Sequence, residues 1–405
     1  MHLTKEEREM LEGRRGEGVQ KAMEILTALG DIYNANKFIP IKSAQVSGVS
    51  YKNLGDAGLE FLCEWADKGI KIKTPATLNP SGIDLSNWKD IGFPKKFVDK
   101  QLKIIDAFRR MGIRTECTCT PYLILMGNKP NFGDHIAWSE SSAVSYANSI
   151  IGARTNRESG ISALSSAITG LTPEYGYHLD ENRKADFVIN VKTRLNKISD
   201  FGALGYVVGK KIGNNVPFFK GIKNASSDQL KSLCASMAAS GAVALYHIED
   251  ITPEAKRGII KRDAQEIVIE DEDIKEGYKA LNSTVKEIDL VAIGCPHASL
   301  EEIESIANIL DGKKVKSALW ITTSRGVKEM AEKTSLLKRI EESGGVIVSD
   351  TCMVVAPIEE LGFKSMATNS GKAAFYVPSH CGLSVRFGSL ERCICAAVNG
   401  VWEDD

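Results

Sequence analysis

The sequence predicts an α/β protein built from more than one lobe, and its length and its last third support that prediction. With 405 residues the chain is too long for one small core and should divide into about two or three lobes. From residue 290 onward, short apolar runs alternate with amphipathic segments, as they do in a parallel α/β sheet. The predicted strands span 290–294, 317–323 and 345–350, with helices starting at Ser299 and Ser324 between them.

Two helices are predicted at the start of the chain. Thr4 and Glu7 match a capping box, in which two side chains satisfy free N–H groups at a helix start. A longer amphipathic helix follows, with apolar residues on one face from Val19 to Tyr33.

Residues 39–94 then change to short apolar pieces separated by stretches rich in Gly, Ser, Asn and Pro. Loops of this composition commonly form binding sites.

The middle of the chain contains one more clear helix and a series of apolar runs. Apolar residues from Val98 to Phe108, including Leu102, recur at helical spacing and predict a helix over 95–111. A strand is predicted over 113–120. Further apolar runs lie at 187–191, 204–209 and 242–248.

A boundary between lobes is predicted near residue 285. Residues 253–287 are rich in charged side chains, which favours a solvated surface over a buried core. We therefore expect N-terminal α/β lobes over 1–285 and a C-terminal α/β lobe over 286–405.

Composition argues against two classes of partner. Hydrophobic residues make up 43% of the chain, charged residues 25%, and the formal net charge is -1, so no surplus of Lys and Arg is left to bind a polyanion. The N-terminal segment is charged from its fifth residue and lacks the apolar region of a signal peptide. The apolar stretch at 233–248 is broken by Ser and Gly and is too short to span a bilayer. We expect a cytoplasmic protein that binds neither nucleic acid nor a membrane.

Three of the nine cysteines occupy equivalent places in the predicted fold. In a chain without a secretion signal, cysteines are expected to be reduced thiols rather than disulfides. Cys119 ends the predicted strand 113–120, and Cys295 and Cys352 follow two of the strands in the last third. Loops at the carboxyl ends of strands bind ligands in open α/β sheets, so three thiols can converge there. Such a set suits an iron–sulfur cluster or a single metal ion with one open position, although strand ends also hold cysteines that only pack.

The stretch CTCTPYL places Cys117 two positions before Cys119. This spacing is too short for the C-x-x-C geometry of a redox dithiol or one arm of a zinc knuckle. In an extended strand the two side chains point to opposite faces, so at most one of them faces a given site. We expect Cys119 to be the site residue and Cys117 its packing neighbour. Core packing is expected for five others, namely Cys63, Cys234, Cys381, Cys393 and Cys395.

Several polar groups suit an anionic substrate, and each also has an ordinary structural explanation. Backbone N–H groups in turns can hold a phosphate or a carboxylate, but most turns bind nothing. A helix start favours anions, but its polar residues can simply be caps with solvated side chains. Arginine pairs and single lysines can bind an anion or remain in solvent. The candidates are the turn 47–50 with Ser50, the turn 79–82 with Asn79, Asp134 and His135, Glu140 and Ser141, Arg154 and Arg157 on one face of a helical turn, and Lys372.

Longer stretches of the chain resemble the large subunits of the aconitase X family. In chain order they are IPIKSAQVSGVSYKNLGDAGL, TLNPSGID, CTCTPYL, FGDHIAWSESSAVSYANS, GARTNRE, GCPH, SDTCMVVAP and TNSGKAAFY. Their order and spacing make the resemblance far more specific than any one motif. It implies α/β domains around a 4Fe-4S cluster and a separate swivelling domain that closes over it. Because this chain ends without that domain, the resemblance implies a heterodimer with a small swivelling-domain subunit.

The resemblance also implies the ligands and the reaction type. It places the cluster, which air can degrade to mononuclear iron or remove, on Cys119, Cys295 and Cys352. The implied reaction eliminates water from a 3-hydroxy acid, with the open iron as Lewis acid and a serine of the small subunit as base. Glu140 is a further candidate for proton transfer or for binding the leaving hydroxyl. The implied substrate contacts are Gly48, Val49, Ser50, Asn79, Pro80, Glu140, Ser141 and Lys372.

Two activities are known in the family, and the resemblance favours one of them. The first is dehydration of (R)-mevalonate 5-phosphate to trans-anhydromevalonate 5-phosphate in archaeal isoprenoid synthesis, to which this compact, two-subunit type is most similar. The alternative is dehydration of cis-3-hydroxy-L-proline, as in bacteria. A less favoured alternative from another class is a non-catalytic iron–sulfur regulatory protein.

Overall fold

The structure is a computed structural model, and it describes residues 1–123, 129–256 and 258–403. Within these residues, helices surround small parallel sheets, which confirms the predicted α/β class. None of the described helices is both long and apolar enough to cross a membrane.

Helices make up most of the N-terminal part of the chain. Thr4 and Glu7 form the predicted capping box at the first helix. The helix predicted over 95–111 is present, but Leu102 is 38% exposed, and the polar Gln101 is fully buried on the inner face. The helices span Lys5–Leu11, Glu17–Ile32, Tyr51–Asp67, Trp88–Ile91, Lys95–Arg110, Ser141–Tyr146, continued by a π-helical turn at Ala147–Ile151, and Gly160–Thr169, with short 3-10 turns at Pro121–Leu123, Gly176–His178 and Asp180–Arg183.

A small parallel sheet gathers the candidate substrate residues at one edge. Its three strands are followed directly by the turn 47–50, by Asn79 and Pro80, and by Ser139 and Glu140. Because the strands are parallel, these segments leave the sheet on the same side. The strands are Ala76–Leu78, Ala44–Val46 and Ala137–Trp138 in spatial order, and a separate antiparallel pair joins Phe38–Pro40 to Leu171–Pro173.

The middle part of the chain forms a four-stranded parallel sheet covered by helices. The apolar run at 187–191 lies in a strand, the run at 204–209 lies inside a helix, and the run at 242–248 is a strand only at its end. Gly209 lets this helix pack closely against its neighbour, since a Cβ there would lie 3.0 Å from the backbone N of Gly241. The strands are His247–Ile248, Pro217–Lys220, Ala185–Val191 and Ile260–Ile269 in spatial order, and the helices are Ile198–Ile212, Ser227–Gly241 and Asp271–Ala280.

The last third is the parallel sheet that the alternating pattern predicted. Its central strand, Leu290–Ile293, is buried throughout, which explains why it appears in the sequence as a continuous apolar run. The boundary expected near residue 285 falls in the connection 281–289, and the division into lobes stays a prediction. The strands are Gly345–Ser349, Ala318–Thr323, Leu290–Ile293, Ser365–Thr368 and Ser384–Phe387 in spatial order, and the helices are Leu300–Leu310, Arg325–Glu332, Leu336–Glu342, Gly371–Cys381 and Leu390–Asn399, with a 3-10 turn at Ile358–Leu361.

The strand predicted over 113–120 is not formed. Cys117 makes only an isolated parallel bridge with Leu78, and the N–H of Thr118 donates to the Leu78 carbonyl over 2.8 Å. The N–H of Cys117 donates instead to a carboxylate oxygen of Asp350 over 3.0 Å. The N–H of Arg114 also donates to the Ala76 carbonyl at 3.2 Å, so the segment contacts the edge of the sheet at separate points without forming a strand.

Candidate metal and substrate site

Three cysteine thiols meet at the carboxyl ends of parallel strands. Cys295 and Cys352 follow two strands of the C-terminal sheet, and Cys119 comes in from the N-terminal part of the chain. All three thiols are free and buried. Cys119 accepts a hydrogen bond at 3.2 Å from the backbone N–H of His297, which stands two residues after Cys295. The fold therefore brings together the three cysteines that the strand pattern singled out.

Burial and mutual repulsion raise the pKa of these thiols. Burial raises the pKa of Cys119 well above its usual range, and the nearby Glu140, Cys352 and Cys295 raise it further. Burial also raises the pKa of Cys352 to about 12, with Cys295 as the next cause. The thiols thus influence one another electrostatically and are protonated at neutral pH without a metal. Since metals bind thiolates, metal binding here must release protons.

The chemistry of the three thiols fits an iron–sulfur cluster. Cysteine thiolates are the usual ligands of such clusters, and three of them leave one iron of a 4Fe-4S cluster open. Over residues 1–123, 129–256 and 258–403, no group of three or more His, Cys, Asp or Glu side chains is arranged to hold a metal ion. Ligands of different irons in a cluster lie farther apart than ligands of one ion.

The other cysteines are mostly packing residues. Cys117 lies in the hydrophobic cluster of the N-terminal part, away from solvent. Cys395 contradicts the expectation of core packing, because it is exposed. Cys381 is buried close to the site, with Lys52 Nζ 3.4 Å from its sulfur and the Met353 carbonyl 3.7 Å away. Core packing holds for Cys234 and Cys393, which are buried, and for the half-buried Cys63.

Glu140 and Lys372 form a buried ion pair beside the thiols. Glu140 caps the helix that begins at Ser141, accepting hydrogen bonds from the Ala143 N–H at 2.7 Å and from the Ser142 hydroxyl. The Ser141 hydroxyl lies 3.4 Å from the same carboxylate. The predicted helix start is therefore present, but the carboxylate is buried rather than solvated.

Lys372 reaches Glu140 from the first turn of the helix that begins at Gly371. Its cap, Ser370, also donates its hydroxyl hydrogen bond to the Cys295 carbonyl, which ties the helix start to a cysteine loop. The position of Gly371 leaves no room for a side chain, since a Cβ would lie 2.6 Å from Ser236 Oγ. The close approach that glycine permits brings the lysine into the site.

Both members of the pair are charged at neutral pH. Burial acts to raise the pKa of Glu140, but Lys372 and the hydrogen bonds to the carboxylate outweigh it and lower the pKa. Burial acts to lower the pKa of Lys372, but Glu140, Cys295 and Cys119 raise it above its ordinary value. The site therefore contains a fixed positive charge next to the cysteines.

The turn 47–50 is held against the Cys352 loop. Gly48 has φ +72°, the left-handed region that favours glycine, and Val49 is buried. Ser50 caps the helix that follows and donates its hydroxyl hydrogen bond to the Val355 carbonyl at 2.8 Å. The turn therefore lies next to a cysteine loop that is 305 residues away in sequence.

Gln101 organises both substrate turns and was missed from the sequence. Its amide nitrogen donates to the Val49 carbonyl at 2.9 Å, and its amide oxygen accepts from the N–H groups of Tyr51 and Gly82, each at 2.9 Å. One buried side chain thus joins the turn 47–50 to the turn that contains Asn79. The available signal was a polar residue on the inward face of an amphipathic helix.

Asn79 has the clearest sign of an unmet hydrogen bond. Its backbone N–H donates to the Val46 carbonyl at 2.8 Å, but its buried side-chain oxygen has no hydrogen-bond partner in the structure. Buried polar atoms are normally paired, so an unpaired acceptor at a predicted substrate contact is consistent with a ligand group there. Pro80 is buried beside it, and Ser81 bonds to the backbone of Asp350 at 2.8 Å.

The helical turn expected to place Arg154 and Arg157 on one face is absent. Residues 154–157 are not helical, so Arg154 and Arg157 do not share a helix face. Arg154 binds Asp180 and the His178 carbonyl, and Arg157 donates to the Ala242 carbonyl at 3.2 Å. The helix before them ends at residue 151, and the chain then turns away. The nearby His135 pairs with His178, Nδ1 to Nδ1 at 2.9 Å, and not with the cysteines.

Comparison with protein families gives matches along nearly the whole chain. The model of the aconitase X first domain matches residues 1–181, that of the second domain matches 185–279, and that of the third domain matches 288–399. The three cysteines fall in the first and third of these ranges.

Individual proteins show the same similarity. The chain is 52% identical over 401 residues to the phosphomevalonate dehydratase large subunit of Methanocaldococcus jannaschii, covering 96% of this chain and 98% of that one. It is 33% identical over 406 residues to the cis-3-hydroxy-L-proline dehydratase of Pseudomonas aeruginosa, covering 96% of this chain and 69% of that one. A crystal structure of Thermococcus kodakaraensis aconitase X in its holo-form matches with a TM-score of 0.92 and 50% identity, covering 98% of this chain and 100% of that one.

Proposed function

Since this chain belongs to the aconitase X family, we propose that it is the large, catalytic subunit of a hydro-lyase. The proposed reaction is the dehydration of (R)-mevalonate 5-phosphate to trans-anhydromevalonate 5-phosphate, in the archaeal mevalonate pathway. The observation that supports it most is the convergence of three buried thiols with the buried pair of Glu140 and Lys372. The choice of substrate follows the M. jannaschii relative, whose identity to this chain is well above that of the hydroxyproline dehydratase.

Cys119, Cys295 and Cys352 would hold a 4Fe-4S cluster. When bound, the cluster supplies an open iron that acts as a Lewis acid toward the leaving hydroxyl. The protein's own contribution is a buried environment in which the thiols have raised pKa values, so cluster loading and proton release are coupled.

The polar groups around the thiols suit a substrate with two anionic ends. Mevalonate 5-phosphate has a phosphate and a carboxylate, and Lys372 supplies a permanent positive charge for one of them. The backbone N–H groups of the turn 47–50, including that of Ser50, suit the other anionic end. The unpaired side-chain oxygen of Asn79 can only accept a hydrogen bond, so it suits a substrate hydroxyl. Val49, Pro80 and Ser141 would complete the substrate contacts.

Glu140 is proposed to orient groups rather than to supply a proton. Its pKa is lowered, so the carboxylate is ionised at neutral pH and can accept a hydrogen bond from the leaving hydroxyl while it holds Lys372. The main base is proposed to be a serine of the small subunit.

The partner is proposed to be a small swivelling-domain subunit that forms a heterodimer with this chain in the cytoplasm. The relative from M. jannaschii is itself named a large subunit. The hydroxyproline dehydratase from P. aeruginosa extends beyond the part that this chain covers, and we infer that the small subunit corresponds to that extra part.

A two-substrate assay tests the function. The chain is purified with its small subunit, loaded with iron and sulfide without oxygen, and supplied with mevalonate 5-phosphate or cis-3-hydroxy-L-proline. We expect dehydration of the first alone, and no turnover by the large subunit without its partner. Turnover of hydroxyproline alone would establish the alternative substrate. No turnover of either by a fully loaded heterodimer would favour a regulatory protein.

A further inference from the structure

His297 is a buried residue whose four polar atoms all make hydrogen bonds. Its backbone N–H donates to Cys119 Sγ at 3.2 Å, and its carbonyl accepts from Lys231 Nζ at 3.0 Å. In the side chain, Nδ1 lies 2.9 Å from the Thr118 hydroxyl and Nε2 lies 2.9 Å from the Thr351 carbonyl. The residue has no exposed surface. Hydrogen bonds therefore fix both nitrogens of the imidazole ring, as well as the backbone N–H and the backbone carbonyl of this residue.

The partners of His297 are the immediate neighbours of the proposed ligands. Thr118 precedes Cys119, Thr351 precedes Cys352, and His297 itself follows Cys295 by two residues. One imidazole ring therefore joins three loops that are more than 50 residues apart along the chain. A shift of any one loop would break a hydrogen bond to this ring.

The hydrogen-bond chemistry defines one neutral tautomer. A carbonyl oxygen can only accept, so the contact with Thr351 requires the proton on Nε2. In the neutral ring Nδ1 is then an acceptor, and the Thr118 hydroxyl donates to it. Thr118 is oriented in turn by Thr120, whose N–H donates to the Thr118 hydroxyl at 3.0 Å.

A buried charged cluster fixes the backbone of His297 from a different side. Lys231, which is 4% exposed, bonds to the His297 carbonyl, to Asp228 at 2.8 Å and to Glu302. It lies on a helix within the range matched by the second-domain model, whereas Thr118 lies in the first and Thr351 in the third. All three parts of the chain therefore meet at this residue.

We propose that His297 is a positioning residue that assembles the three cysteine loops into a cluster-binding arrangement within the large subunit alone. The inference rests on the proposed function for the identity of the three ligands. Groups that surround the ligands of a metal centre typically change metal affinity or activity about 10- to 100-fold when they are replaced. Hydrogen bonds to the sulfurs also adjust the properties of an iron–sulfur cluster.

Cluster loading and thiol reactivity test this role without an activity assay. We expect His297→Ala to lower cluster affinity by about 10-fold or more, measured as bound iron and sulfide after anaerobic reconstitution of the large subunit. In the metal-free chain, alkylation of Cys119, Cys295 and Cys352 by N-ethylmaleimide, followed by mass spectrometry, should become faster. His297→Gln can retain the bond to Thr351 and should fall between wild type and His297→Ala.

His247→Gln is the matched control. His247 is also buried, and its Nε2 bonds to the Arg183 carbonyl at 2.8 Å in the middle part of the chain. This variant should load the cluster as wild type does. Should His297→Ala not fold, Thr118→Val removes one bond to the ring while keeping the shape of the side chain, and it should change loading and alkylation in the same direction.

The outcomes separate this inference from the proposed function. Wild-type loading and alkylation in both His297→Ala and Thr118→Val would overturn the positioning role, even if the enzyme dehydrates mevalonate 5-phosphate. Reduced loading in these variants, with no turnover of mevalonate 5-phosphate by the loaded wild-type heterodimer, would overturn the proposed substrate and leave the positioning role intact.

Discussion

Replacing Lys372 with methionine perturbs the buried ion pair of the site directly. The side chains of Lys372 and Glu140 are 11% and 5% exposed, so the change leaves a buried carboxylate without its counter-charge. Removing one partner of a buried pair costs about 3–5 kcal/mol. The remaining bonds to Glu140, from the Ala143 N–H at 2.7 Å and the Ser142 hydroxyl, offset part of this loss. We expect the free energy of unfolding of the metal-free chain to fall by about 3 kcal/mol at neutral pH.

The pKa of Glu140 gives this deficit a definite pH dependence. Burial acts to raise the pKa, but in the wild type Lys372 and the hydrogen bonds lower it below its ordinary value. A lowered folded-state pKa contributes stability above the unfolded-state pKa, and that stability is lost as pH falls through the folded-state value. Without Lys372, burial dominates and the pKa of Glu140 rises. At neutral pH the buried, ionised carboxylate destabilises the variant. Once the carboxylate is protonated, it no longer does so. The deficit should therefore shrink as pH falls through the raised pKa that Glu140 has in the variant.

Urea denaturation of the metal-free chain across this pH range measures both effects. Lys275→Met is the control, because Lys275 and Glu272 form an exposed pair, and its loss should change stability by less than about 1 kcal/mol. The double variant with Glu140→Gln should recover much of the deficit, since no charge is then left buried. A Lys372→Met variant as stable as wild type at neutral pH, or a deficit independent of pH, would refute the reasoning.

Four further substitutions test other parts of the site and its surroundings. Asn79→Ala should leave the melting temperature nearly unchanged, because its side-chain oxygen has no partner, yet lower kcat/KM, which steady-state kinetics of the heterodimer can show. Gln101→Leu leaves the Val49 carbonyl and the N–H groups of Tyr51 and Gly82 without their partner, so the free energy of unfolding in urea should fall by about 3 kcal/mol. A fall of less than about 1 kcal/mol would contradict the role of Gln101 in holding the two turns. Cys119→Ser should abolish the cluster's visible absorption, whereas Cys117→Ser should retain it at lower stability; the reverse result would exchange the two roles.

The sequence predicted the last third of the fold well because its signals are local. The strand at 290–293 is buried on both faces and therefore appears as a continuous apolar run, and the flanking helices start at serine caps. The strand predicted over 113–120 is absent, and this segment is held by contacts distant in sequence, such as the bond from the Cys117 N–H to Asp350, which lies 233 residues away. The surface position of Leu102 was missed because helical spacing alone left open which side of the apolar stripe faces the core.

By itself, the sequence determined the α/β class, the helix starts at Thr4 and Glu140, and the positions of Cys295 and Cys352 after buried strands. These follow from residue periodicity and caps, which act over a few residues. Only the tertiary structure decided that Glu140 is buried against Lys372, 232 residues away, and that three cysteine loops meet at one ring. Such contacts depend on how parts of the chain that are distant in sequence pack against one another, and no local pattern encodes that packing.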